Sequence, residues 1–235
     1  MVETKEQTND PAIDALFSVG AHFGYLRSKR HPSTTPFLFG TKGGIEIFDL
    51  EKTKNELEKA EAFVKNLARL GKQVLFVSGK NEAKAALFAT AERLGQPYVA
   101  GRWIGGTLTN FKEIRGRVDK MLDLRSKREK GELAKYTKKE RLLIDREITR
   151  LETLFNGLVS LISLPGALFV VDPRKEAIAV TEARAQGVPV VALASSDCDF
   201  SLVDYFIPGN DASRTSVSYF IEKIAKAYED GREGK

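Results

Sequence analysis

Sulfur and imidazole are scarce in this chain of 235 residues, which has one cysteine, two histidines and two methionines. A lone Cys198 allows no internal disulfide and no multi-cysteine zinc site, and with only His22 and His31 beside it a histidine-rich metal centre is disfavoured too. Asp197 and Asp199 flank that cysteine, a pattern that reads first as an acidic turn after a strand and second as a cation pocket. The sequence has no apolar run of about 18 residues to cross a bilayer. Its first eleven residues are polar where a secretory leader would be basic and then apolar, so the expectation is a cytosolic protein without membrane contact. Internal repeats and low-complexity tracts are also lacking.

Catalytic signatures are equally sparse. There is no Gly-x-Ser-x-Gly elbow and no local Cys and His signature, and the Gly79-Lys80 loop lacks Walker spacing. Arg102-Trp103-Ile104 separates Gly101 from Gly105-Gly106, which breaks any dinucleotide fingerprint. Asp172, Asp197, Asp199 and Asp204 include possible carboxylate pairs, but acids at strand ends commonly cap helices. The expectation is therefore no enzyme and no cofactor.

Charge is what the chain does have, and it is uneven. The net charge is +5 with a pI near 9.2. Residues 101–150 hold fifteen Lys or Arg against eight Asp or Glu, whereas residues 151–235 hold eight against twelve. Such a basic arm beside a mildly acidic end suits a polyanion, because cations that neutralise phosphates release condensed counterions. A merely solvated helical face is the alternative.

The apolar pattern alternates between strands and helices. Phe37-Leu38-Phe39-Gly40, a Lys42-Gly43-Gly44 turn and Ile45, Ile47 and Phe48 predict a strand, turn and strand. Leu57, Ala60, Phe63, Val64, Leu67 and Ala68 mark one helix face closed by Gly71. A buried strand at 74–77, a helix capped by Asn81 and ended by Gly95, and a short strand at Tyr98-Val99 follow. The rhythm resumes with strands at 167–171 and 188–193, a helix over 175–186, a short strand at 205–207 and a helix over 213–228. Runs that are apolar throughout predict a parallel sheet with helices on both faces. The residues after Tyr228, like the first ten, have nothing evident to bury and are expected to be mobile.

Between the two halves lies a helical hairpin. Phe111, Ile114, Val118 and Met121 on one side, with Ile144, Ile148, Leu151, Phe155 and Leu158 on the other, follow heptad spacing. Gly131 stops the first helix, and Thr137 with Glu140 forms a capping box for the second. The expected organisation is a discontinuous α/β unit, 1–104 with 160–235, interrupted by a coiled-coil hairpin at 105–159. So thin a pair of helices must lean on the sheet or on a partner.

Candidate contacts with nucleic acid follow from charge and rings together. From His22 to Lys42 the chain carries Arg27, Lys29, Arg30 and Lys42 and no acidic residue, interleaved with His22, Phe23, Tyr25, His31, Phe37 and Phe39. Cations hold phosphates there while exposed rings stack on unpaired bases, although Phe37 and Phe39 read as core. Arg102 and Trp103 beside two glycines form a second candidate, with a packed Trp103 as the alternative. On the hairpin the candidates are Arg115, Arg125, Lys127, Arg128, Lys138 and Lys139. At the sheet, Lys80 offers one cation and a helix start to a phosphate, from RNA or, in the competing reading, from a nucleotide or phosphosugar.

Six ordered motifs place these features in a family. They are Gly20-Ala21-His22-Phe23-Gly24, the run from Gly44 through Thr53, the run from Arg102 through Phe111, Leu164-Pro165-Gly166 with the strand after it, Gly187-Val188-Pro189-Val190, and Ile207-Pro208-Gly209-Asn210-Asp211. Together they resemble small-subunit ribosomal protein number two of the bacterial type, over about residues 16–228. The resemblance implies a flavodoxin-like sheet with an inserted coiled-coil hairpin. It also implies a structural role between head and body of the small subunit, with 16S-type rRNA, neighbouring small-subunit proteins and a large mRNA-binding ribosomal protein as partners. Tyr25 stands where the family usually has a second histidine. Arg30-His31 replaces an aromatic and an asparagine, Asp199-Phe200-Ser201 replaces an Asp-Pro-Asp turn, and Phe111 replaces a tryptophan.

Overall fold

The computed structural model describes residues 10–234. Five parallel strands form its centre: β4 (Val74–Val77), β5 (Tyr98–Val99), β6 (Ala167–Val171), β7 (Val190–Ala194) and β8 (Tyr205–Pro208), in the order β5-β4-β6-β7-β8. Renumbered within the sheet, that is the 2-1-3-4-5 order of the flavodoxin-like fold. Residues of β4, β6 and β7 are buried without exception, so these strands read as continuous apolar runs because both of their faces are covered.

Successive side chains on a strand point to opposite faces, and the two cores sort accordingly. Val74, Phe76, Phe169, Val191 and Leu193 meet α1 (Pro11–Ser18), α2 (Leu50–Arg69), α3 (Asn81–Leu94) and α7 (Arg214–Arg232). Leu75, Val77, Leu168, Val170 and Ala192 meet α6 (Ala177–Ala185) and the root of the hairpin formed by α4 (Phe111–Glu129) and α5 (Lys138–Phe155). Ile114, Val118, Met121, Leu151, Phe155 and Trp103 are all members of this second core. The hairpin thus does the work of a covering helix at its base. It projects beyond the sheet only with its distal turns.

The capping box forms as the sequence predicts, with the Glu140 amide donating to Thr137 Oγ1 and the Thr137 amide donating to Glu140. A second, antiparallel sheet precedes the main one: β1 (Phe23–Leu26), β2 (Leu38–Lys42) and β3 (Ile45–Phe48), ordered β1-β3-β2. Neither β1 nor α1 is evident in the sequence, since each is short and β1 contains Gly24. That glycine is required: a Cβ there would press on Ser196 and on the Glu46 carbonyl.

Four expectations need correction. Phe39 is 83% exposed, since it stands at an irregularity in β2 rather than in the core. Asn81 is the first residue of α3, and Lys80 occupies the cap position without a side-chain capping bond. The helix expected over 175–186 begins at Ala177, after a turn set by Asp172. The tail after Tyr228 stays helical to Arg232, with Gly231 buried against the backbone of α2 at Lys65. The expectation for the first ten residues falls on 1–9, outside the described residues; Asp10 itself caps α1 and pairs with Lys54 at 2.5 Å.

Candidate nucleic-acid interface

In this strand order the direction of winding reverses between β4 and β6, so the crevice beyond their carboxyl ends is where such folds ordinarily take a ligand. Here the chain fills it with its own charges. Lys80 leaves β4 and turns inward, where its Nζ lies 2.8 Å from Asp172 and 2.8 Å from Asp211. It also donates to the Asp211 carbonyl at 3.2 Å and lies 3.4 Å from the Tyr25 hydroxyl. Lys80 is only 8% exposed. Burial works against its charge, yet the carboxylates of Asp211 and Asp172 outweigh that cost and hold the ammonium well above its usual range. Burial pushes the Asp211 carboxyl up to about 6, against the pull of Lys80.

The cradle of amides is occupied as well. The Gly79 amide donates to Glu176 at 2.8 Å, and a Cβ at Gly79 would strike that carboxylate. Asp172 adopts a left-handed backbone, φ 67°, which lets its side chain accept from the Lys175 amide while also facing Lys80. Cys198, Asp172 and Asp211 approach one another closely enough to suggest a metal cage. The Lys80 ammonium already supplies the positive charge between the two carboxylates. Asp197 pairs with Arg174 at 2.7 Å and Asp199 accepts from the Ser201 amide, as residues of an acidic turn do. Lys80 therefore does not present its charge to a phosphate, which corrects the expectation drawn from its place after a strand.

The loop from Arg102 to Asn110 is organised by one carboxylate. Glu182 of α6 accepts from Trp103 Nε1 (3.2 Å), the amides of Gly106 (2.7 Å), Leu108 (3.0 Å) and Thr109 (3.2 Å), and Thr109 Oγ1 (3.2 Å). Burial alone would raise its pKa, but these donors hold it below the usual carboxylate range. Trp103 is consequently a packed residue, 7% exposed, and braces the hairpin root. Arg102 beside it is exposed and free of any acidic partner among the described residues.

On the hairpin, pairing divides the candidate cations. Arg115 donates to the carbonyls of Val159 and Leu161 and to Asp119, so it ties the root together. Arg125 pairs with Glu129, Lys127 with Asp123 and, more loosely at 3.9 Å, Arg128 with Glu152. Lys138 and Lys139 are exposed at the start of α5 and have no acidic partner among the described residues. The distal turn is therefore the more positive end in net field, even though the middle is as rich in cations.

In the 3-10 turn that follows β1, Arg27 and Lys29 are exposed and have no acidic partner among the described residues, with Lys29 over the Tyr25 ring, while Arg30 reaches the buried Glu46 at 3.3 Å. His22 lies between Phe17 and Phe23, stacked on the former at 4.6 Å and 10°. Its Nδ1 is buried without a hydrogen bond, and burial lowers its pKa, so it serves as a neutral ring. Phe37 is half-buried, packed on Phe200 and Phe206 at the edge of a small third core. Sequence reasoning overlooked Glu182 and Phe17. A signal for Glu182 was present, since it falls in the Ala179, Val180 and Ala183 stripe of α6, where an acid is buried only if donors await it.

With this geometry in hand, comparison with known proteins is specific. A family model described as Ribosomal protein S2 matches residues 16–231. The chain is 44% identical over 221 residues to small ribosomal subunit protein uS2 of Roseiflexus sp. (strain RS-1), covering 94% of this chain and 84% of that one. It is 42% identical over 223 residues to uS2 of Coprothermobacter proteolyticus, covering 95% and 83%. It is 41% identical over 219 residues to uS2 of Chloroflexus aurantiacus strain J-10-fl, covering 93% and 92%.

Proposed function

The chain belongs to the ribosomal protein S2 family, whose members are structural components and not enzymes, and on that basis we propose that it is a structural constituent of the small ribosomal subunit. It binds 16S-type rRNA between head and body, in the cytoplasm, beside neighbouring small-subunit proteins that include the large mRNA-binding one. The discontinuous unit, 1–104 with 160–235, is the body of the protein, and 105–159 is its arm.

The observation that carries the rRNA contact is the distribution of unpaired cations. Arg27, Lys29, Arg102, Lys138 and Lys139 are exposed and lack acidic partners among the described residues. Lys138 and Lys139 add their charge to the positive end of the α5 helix dipole, which favours a phosphate. Arg125, Lys127 and Arg128 contribute less, because the net charge of each pair is nearly cancelled before RNA arrives. His22 and Arg30 flank Arg27 and Lys29 in the chain. Lys80, Trp103 and Arg115 act from inside by fixing the fold. The nucleotide reading of Gly79-Lys80 loses its support, since both the amide and the ammonium are taken by carboxylates of the chain.

Titration of an rRNA fragment across salt concentrations tests this. Each phosphate neutralised contributes about 0.7 to 0.9 to the slope of log K against log salt. Replacing Lys138 and Lys139 together by Ala lowers the slope by about 1.5, and the same change at Arg125, Lys127 and Arg128 lowers it by less. Equal slopes for the parent and the tip variant would refute the contact.

A further inference from the structure

β5 is an edge of the main sheet and only two residues long, so the space beyond it is bounded by helices and loops instead of a further strand. There α3, the start of α7, the last turn of α5 and the loop after β5 enclose a cleft of about 790 Å³. Sequence spacing aims α3 at it. Asn81, Lys84, Ala85 and Phe88 follow one another at three and four residues, a single helix stripe, and all four line the cleft. Because Ala85 is small, as are Ala100 and Gly101 of the loop, these positions leave room for a flat ligand. Phe88, 48% exposed, meets Tyr98 edge to face at 5.4 Å and 90°.

Charge reaches this cleft from three separate elements. Lys84 of α3, Arg102 after β5 and Arg214 in the first turn of α7 are all exposed, and none has an acidic partner among the described residues. Two acids also line it: Glu82 of α3, and Glu152 of α5, which already leans on Arg128 at 3.9 Å. The balance is positive. α3 begins without a side-chain cap, so the amides of Asn81 and Glu82 add partial positive charge at the same wall. An apolar peptide would leave three cations uncompensated, and an inorganic anion would leave the rings and most of the volume unused. A ligand with a flat ring at one end and phosphates at the other satisfies both, in a volume usual for small-molecule sites.

We propose that this cleft binds a free nucleoside phosphate, its base against Phe88 and Tyr98 and its phosphates against Lys84, Arg102 and Arg214. The hydroxyls of the sugar donate to the two acids, as carboxylates of nucleotide sites accept from ribose. An RNA chain suits the cleft less well, since it would have to carry further phosphates past Glu82 and Glu152. The site is separate from the crevice that Lys80 fills, because Lys80 is not among the residues lining it. It goes beyond a scaffold's role by making a small molecule a ligand of the chain.

Calorimetric titration of the full chain with ADP and GDP tests it, with adenosine and inorganic phosphate as the two halves. Saturable binding below about 1 mM is expected for at least one diphosphate, and neither half is expected to bind as tightly. Phe88→Ala removes one ring-to-base stack and weakens binding about five- to 150-fold. Ala85→Phe fills the cleft from an exposed helix position and abolishes binding without altering the melt, whereas Ala89→Phe, on the same helix but outside the cleft, leaves binding unchanged. Lys84→Ala with Arg214→Ala weakens the diphosphate about tenfold or more and leaves adenosine unaffected. No saturable binding of either diphosphate, or parent-like affinity in Ala85→Phe, would overturn the proposal. So would phosphate binding as tightly as ADP, which would leave only an anion site, or an unstructured 5-iodouridine RNA crosslinking at Phe88 without displacement by ADP, which would give the cleft to RNA. The variants leave Arg27, Lys29, Arg102 and the hairpin untouched, so co-sedimentation with small subunits is expected to persist in all of them, and its result bears on the ribosomal reading alone.

Discussion

Replacing Glu182 by Ala tests the internal logic of the hairpin root. Five donors converge on that one carboxylate, and two of them, Trp103 Nε1 and the Leu108 amide, belong to residues that are 7% and 1% exposed. Water reaches the amides of Gly106 and Thr109 in the variant but not those two. A buried donor left without an acceptor costs about 1 to 3 kcal/mol, so the pair costs about 2 to 6 kcal/mol. For a chain of this size that is a fall in Tm of roughly 5 to 20 °C. Urea denaturation measures the loss, and hydrogen exchange at residues 106, 108 and 109 localises it. The parent carries a pH signature that the variant lacks. Because the folded-state pKa of Glu182 is held below its ordinary value, its contribution is full above that ordinary value and is lost as pH falls through the folded one. A variant as stable as the parent, with unchanged exchange in the loop, would refute the claim that this carboxylate organises it.

Lys80→Met leaves Asp172 and Asp211 buried without their cation and is expected to cost about 3 to 5 kcal/mol at neutral pH. Burial already pushes Asp211 up to about 6, so the loss shrinks as pH is lowered through 6 and Asp211 takes up a proton; a pH-independent loss in urea melts would contradict the pairing. Leu151→Ala removes a side chain shared by hairpin and sheet and is expected to cost about 2 to 5 kcal/mol, with exchange rising in β6 as well as in α5. Leu143→Ala, at a residue 55% exposed, leaves the melt unchanged, and loosening confined to the hairpin in both variants would show that its root is not part of the core. Gly231→Ala would gain about 1 kcal/mol of helix propensity in isolation, but its Cβ would meet the Lys65 carbonyl, so net destabilisation of about 1 to 3 kcal/mol is expected, and a raised Tm would refute the close approach of α2 and α7.

Elements that carry their own periodicity were legible in the sequence. β4, β6 and β7 show as unbroken apolar runs because both faces of the sheet are covered, and the hairpin shows through its heptad and the Thr137 and Glu140 box. The family resemblance rests on motifs at turns and at the hairpin root, where local sequence is most constrained. What escaped were features defined by distant partners. A lysine after a strand reads as a phosphate contact until Asp172 and Asp211 arrive from other strands to enclose it. Phe39 reads as core until a ladder irregularity turns it outward, and the stack of Phe17 on His22 needs α1 to fold back on β1. Likewise the charge count of residues 101–150 located the basic arm but did not divide paired cations from unpaired ones: Arg125 with Glu129 and Lys127 with Asp123 pair within α4, while Lys120 with Glu147 and Arg128 with Glu152 cross from α4 to α5.

A built-in part of the small ribosomal subunit must travel with it, and sedimentation of the tagged chain through a sucrose gradient under magnesium measures this. Co-migration with free small subunits and with assembled ribosomes is expected, retained when nucleotide is added and lost only as salt is raised far enough to strip phosphate contacts. A chain that stays at the top of the gradient at low salt, while authentic small-subunit proteins sediment, would contradict it.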